Sequence, residues 1–224
     1  MGQPNYDDER EQLRDELSAL GSLVEELLLE SVDLLRQSDI DALERLSDAS
    51  RRVHKQRLAI EMGCLSIIAT RRPRDGDLRS LVAMVEIAAE LEYVAEHARK
   101  AARVSYLVAD HHLSRPLASI QRLAHMVQSA MNRVLEAFAR GDLALTEEVL
   151  AETREVNAVY EQTYQELLIV MKSKPSIADQ AICLSRSAYN LRRAAERLAG
   201  VSEWVVFSVT GAMGQLEPPL PVAT

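Results

Sequence analysis

Apolar residues recur with a period of about 3.6 along nearly the whole chain, and the interruptions are short. The pattern predicts helices over residues 7–37, 41–70, 77–109, 115–140, 143–172 and 177–209. In the third, Met84, Ile87, Ala88, Leu91, Val94, Ala95, Ala98 and Ala102 form one continuous stripe that must face a core. Its many alanines let neighbouring helices approach closely. Glu92 and Glu96 fall on the row 88–92–96–100 beside that stripe, at the rim of the predicted bundle. The breaks between helices have chemical causes. RQSDID around Ser38 and ARGDLA around Gly141 carry stop and capping residues. RRPRDGD (71–77) and KSKPSIAD (172–179) are proline corners, and Ser176 with Asp179 has the spacing of a capping box. ADHHLSRP (109–116) is the longest polar break. The tail 211–224, with Pro218 next to Pro219 and no helical period, is expected to be disordered.

The chain repeats itself. A shift of 103 places Asp39 on Asp142, Arg51 on Arg154, Val53 on Val156, Leu23 on Met126 and Val24 on Val127. In the third helix of each half the shift becomes 100, pairing Leu91 with Leu191, Ala95 with Ala195 and Glu96 with Glu196. The difference is absorbed at the Pro73 and Pro175 corners. Connections this short force antiparallel neighbours, so each half reads as a three-helix bundle. The predicted fold is all-α: two tandem, similar three-helix bundles side by side, over residues 1–110 and 115–210.

Composition narrows the function. Aromatics are only 4% of the 224 residues, so the core must be built from Leu, Ala, Val, Ile and Met, all compatible with helices. The net charge of −8 and the lack of a dense basic patch argue against nucleic acid as a partner. No run approaches the roughly 18 consecutive apolar residues of a membrane span. The start, MGQPNYDDERE, is polar and acidic, unlike a secretory leader. The expectation is a cytoplasmic protein that meets a membrane only through partners. Cys64 and Cys183 lie in apolar helical stretches and read as buried free thiols. No H-E-x-x-H, C-x-x-C, G-x-S-x-G or Walker A sequence is present, and no Glu is followed three residues later by His. Catalysis is therefore not expected. His111 and His112 read as a solvated loop pair, and His125 as a surface or packing residue. Trp204, Val205, Val206 and Phe207 read as core, with a docking face as the alternative. Arg71, Arg72, Arg74 and Arg79 form the one local basic concentration. It is either a solvated helix end or a contact for an acidic partner or phospholipid heads.

The segment CLSIIATRRPRDGDLRSLVAMVEIAAELEYVAEHARKAA (64–102) resembles the PhoU family of phosphate-uptake regulators. Cys64, Leu65, Ala69, Pro73, Asp77, Leu78, Arg79, Leu91, Glu92, His97, Ala98 and Ala102 match its pattern. LVEELLLESVDLL, GDLALTEEVL, YQELLIVMKSKPSI and VVFSVTG carry the resemblance across nearly the whole chain. It implies two similar three-helix bundles and a repressor of the phosphate-starvation response. The implied partners are the subunits of a phosphate ABC transporter and a sensor histidine kinase at the membrane. Oligomeric state stays open, a homodimer included.

The resemblance also implies multinuclear metal sites built from repeated E/D-x-x-x-D rows. Here the candidate ligands for a divalent or iron cation are Glu92, Glu96, Glu61 and His54 in the first bundle, with Glu196 alone in the second. Hard cations need several oxygens converging on one point. Lys100 stands where the family has Asn, Arg192 replaces the motif Glu, and Thr153 and Asn157 replace acidic places. The alternative is ordinary helix pairing: Glu96 with Lys100 and Arg192 with Glu196 are i,i+4 partners, worth a few tenths of a kcal/mol each. Other readings are a metal-binding bundle with an enzymatic or storage role, and an adaptor of the same fold for a different transporter.

Overall fold

The structure, a computed structural model, describes residues 6–37, 40–103 and 113–212. Six long helices are found among them: α1 (Tyr6–Gln37), α2 (Ile40–Arg71), α3 (Asp75–Ala102), α4 (Ser114–Arg140), α5 (Leu143–Ser173) and α6 (Ala178–Thr210). No strand occurs among the described residues. The helices agree closely with the predicted ones. The predicted continuation of the third helix to residue 109, the stop around Ser38, His111, His112 and the tail beyond Ala212 lie outside the described residues.

The connection from α4 to α5 follows its predicted chemistry, and that from α5 to α6 does not. Gly141 ends α4 in the left-handed region at φ 65°, where a side chain would be strained, and its N–H reaches the Ala137 carbonyl. The next residue, Asp142, caps α5 by accepting a 2.9 Å bond from the Ala144 N–H. Ser176 does not cap α6. Pro175–Ile177 forms a 3₁₀ turn instead, and the N-cap position falls to Ile177, which offers no side-chain bond. The proline fixes a tight turn there, and that turn carries Ser176 away from the capping position.

Helices α1–α3 form one trio and α4–α6 the other. They meet along α3 and α6, the most extensive helix pair, and again along α1 and α4. The α3 stripe is buried as the periodicity requires, and Leu81, Ala83 and Ala101 extend it. Alanines on both sides, including Ala88, Ala95 and Ala98 on α3 and Ala188, Ala194 and Ala195 on α6, keep these backbones close. Inside this contact Ser187 Oγ donates a 2.7 Å bond to the Ala101 carbonyl of α3. The α1–α4 contact is tight at Gly21, where an added Cβ would collide with Leu135 Cδ1. The buried side chains of both trios form one continuous core. Each fully buried Leu in it contributes about 1.5–3 kcal/mol. Cys64 and Cys183 are buried free thiols, and burial pushes the Cys64 thiol up to about 12. Trp204 packs against the core, edge-on to Phe207 at 5.7 Å.

Candidate functional site

In the first trio, α2 presents His54, Arg57 and Glu61 towards α3, and α3 presents Glu92 towards α2. His54 Nδ1 lies 2.7 Å from Glu92 Oε1. Arg57 Nε donates to Glu92 Oε2 at 2.8 Å, and Arg57 Nη1 donates to Glu61 Oε2. Both Glu92 oxygens are engaged, and one guanidinium bridges two carboxylates on two helices. Burial pushes the Glu92 carboxyl up, but the bonds from Arg57 and His54 outweigh it and hold the group below the usual carboxylate range. Arg57 is correspondingly held charged by its bond to Glu92. Glu96, the next residue of the row, turns to Lys100 Nζ at 2.8 Å, and that bond lowers its carboxyl.

The second trio places different groups at the related positions. Tyr160 on α5 corresponds to Arg57, Tyr164 to Glu61 and Arg192 on α6 to Glu92. The Arg192 guanidinium lies 5.0 Å from the Tyr160 ring centroid and 5.5 Å from that of Tyr189, within cation–π range. Its Nη2 is 3.2 Å from Glu196 Oε1, and Arg193 Nη1 donates to Glu196 Oε2. Tyr160 and Tyr164 stack with centroids 6.3 Å apart. Here the cation projects from α6, whereas in the first trio it projects from α2.

Between the trios, α3 and α6 exchange two contacts related by the 100-residue shift. His97 Nδ1 lies 3.1 Å from Asn190 Oδ1, and Arg197 Nη1 lies 3.7 Å from Glu90 Oε2. Arg197 also lies over the Tyr93 ring at 4.6 Å. Burial raises the Glu90 carboxyl, against the opposing pull of Arg197. Burial likewise lowers the His97 imidazole.

The basic corner is divided. Arg71 forks onto Glu9 with bonds of 3.1 and 2.9 Å, and Arg10 reaches Asp77 at 2.5 Å, so α1 clamps both sides of the turn. Arg79 lies against Gly211 at the end of α6, where an added Cβ would stand 3.3 Å from Arg79 Cδ. Arg72 and Arg74 are exposed. Arg72 and Asp75 adopt left-handed backbone, φ 51° and 50°, around Pro73.

The PhoU domain model matches this chain twice, over residues 17–105 and 120–205. The chain belongs to the PhoU family. Among curated PhoU proteins, the phosphate-specific transport system accessory protein of Edwardsiella tarda is 27% identical over 92% of this chain and 85% of its own length. The homolog from Rhizobium meliloti is 27% identical over 96% of this chain and 91% of its own. The crystal structure of PhoU from Pseudomonas aeruginosa superposes with a TM-score of 0.84 at 24% identity, covering 93% of this chain and 100% of that one. The two domain matches correspond to the two trios.

The acidic rows of this PhoU chain do not fit a bound metal. Among the described residues, no group of three or more His, Cys, Asp or Glu side chains is placed to hold an ion. Of the candidate set, Glu92, His54 and Glu61 are gathered around Arg57, while Glu96 is turned aside to Lys100. Glu196 is held by two arginines. Arg57 and Tyr160 stand outside the carboxylate rows by which the sequence marks the site. Arg57 stands four residues before Glu61 in the chain, an ion-pair spacing, and the 103-residue shift carries it to Tyr160.

Proposed function

We propose that this chain is an accessory regulator of phosphate uptake. It docks on the cytoplasmic side of a phosphate ABC transporter and on a sensor histidine kinase, and so represses the phosphate-starvation response. The observation that carries this reading is the pair of PhoU domain matches, which together span both trios. It is supported by relatives over most of this chain's length that are named phosphate-specific transport system accessory proteins. No helix among the described residues is long and apolar enough to cross a membrane, so docking would run through partners. No covalent chemistry is required. Binding to one conformation of transporter or kinase shifts its population, and the size of the effect is the difference in affinity for the two states.

Arg71, Arg72 and Arg74 are exposed, but Arg71 is forked onto Glu9 and Arg79 lies against Gly211, so Arg72 and Arg74 suit an acidic partner surface better. The test is affinity purification of the tagged full chain from phosphate-replete cells. Phosphate-transporter or sensor-kinase subunits are expected to co-purify, and less so with Arg72→Glu/Arg74→Glu. Recovery of only a different transporter's subunits, or of no membrane complex, would contradict the reading.

A further inference from the structure

We propose that Arg57 and Arg192 are built-in cations that take the place of metal ions in the two trios, so that the face formed by α2, α3, α6 and α5 is set without metal. The first trio carries the argument in its geometry. Arg57 joins Glu92 on α3 to Glu61 on α2, the cross-helix bridge that a shared ion would otherwise make. The second oxygen of Glu92 faces His54 at 2.7 Å, so both oxygens are already engaged by side chains of this protein. A divalent ion placed among these groups would also be repelled by the guanidinium, whose charge is permanent. Its planar fork suits two carboxylates at once, which a lysine ammonium would match less well.

The second trio reaches the same end with other residues, and this is an independent observation. Arg192 comes from α6 rather than α5, lies near the faces of Tyr160 and Tyr189, and pairs with Glu196. Glu196 is in turn bonded by Arg193, which leaves a net positive cluster where an acidic row would be needed. In both trios the acidic positions are therefore engaged by cations from within the chain.

The inference stands apart from the phosphate-transport reading, because it is tested on the purified full chain with no partner present. After chelator treatment, the protein is dialysed against Mn²⁺, Mg²⁺ or Fe²⁺ and its metal content and thermal midpoint are measured. The wild-type chain is expected to retain no stoichiometric metal and to show an unmoved midpoint. Arg57→Ala and the milder Arg57→Gln release Glu61 and the Glu92 oxygen that Arg57 holds, beside His54, and Mn²⁺ affinity is expected to rise at least about tenfold. Arg57→Lys keeps the charge and is expected to keep Mn²⁺ out. Circular dichroism confirms that each variant is folded. Stoichiometric Mn²⁺ binding by the wild type that Glu92→Gln abolishes would overturn the proposal. So would folded Arg57→Ala and Arg57→Gln variants that bind Mn²⁺ no better than the wild type.

Discussion

In the first trio a guanidinium on α2 meets a carboxylate on α3, and in the second a guanidinium on α6 meets tyrosines on α5 and its own helix. The residues one step inward do not differ in this way. Leu91 and Leu191, Ala95 and Ala195, and Val53 and Val156 are related pairs, and all six are buried. The contrast separates two kinds of constraint. Core positions are fixed by volume and by the close approach of α3 to α6, so the repeat is plain there. Rim positions need only bring one cation against an anion or a ring, and either helix can supply it.

The largest test of this contrast concerns the core. Leu91→Ala and Leu191→Ala should each lower stability by about 3–4 kcal/mol in urea unfolding, because both leave cavities in a packed interior. A near-zero cost at one of them would break the equivalence of the two trios. The next test converts one rim towards the other. Glu92→Arg alone sets two guanidinium groups together and should cost about 2 kcal/mol, while adding Arg57→Tyr should restore much of it, since the double variant reproduces the arrangement of the second trio. Equal stability of the single and double variants would show that the exchange of charge between helices is not compensated.

A smaller effect comes from Glu92→Gln, which should cost about 1 kcal/mol at neutral pH. The sign of its pH dependence follows from the lowered Glu92 carboxyl. The stabilisation is complete above the ordinary glutamate value of about 4.3 and is lost as pH falls through the lower folded value. Wild type and variant should therefore converge in acid, as followed by thermal melts across pH. Glu90 should behave in the opposite sense. Its carboxyl is raised by burial, so protonation relieves a cost, and the folded state gains stability relative to the unfolded chain as pH falls through that raised value. Glu90→Gln should remove that gain. The smallest effect is that of Glu96→Gln, which breaks an exposed i,i+4 pair with Lys100 and should cost only a few tenths of a kcal/mol.

The fold could be read from the chain because burial leaves a periodic trace. The stripe from Met84 to Ala102 needs only helical spacing to be seen, and the Gly141–Asp142 stop needs only local backbone chemistry. The rim was harder. The choice between a metal site and an ion pair at Glu92 depends on which α2 side chain faces it, and helix period alone gives no cross-helix register. Arg57 is an unremarkable surface residue in the sequence until α3 is docked against α2. The basic corner has the same lesson. Four arginines close together in sequence go to three different surroundings, because Glu9 on α1 and Gly211 after α6 are distant in the chain. Ser176 shows a failure of another kind, where a proline turn displaced a capping motif that looked complete.

The most direct measurement is a double-mutant cycle on Arg57 and Glu92, using Arg57→Ala, Glu92→Ala and both together, with stability taken from urea unfolding in metal-free buffer. If the guanidinium is the cation that ties α2 to α3, the two changes should couple by about 1–2 kcal/mol. Additivity within about 0.3 kcal/mol would contradict the account, because the two residues would then be neighbours that do not hold each other.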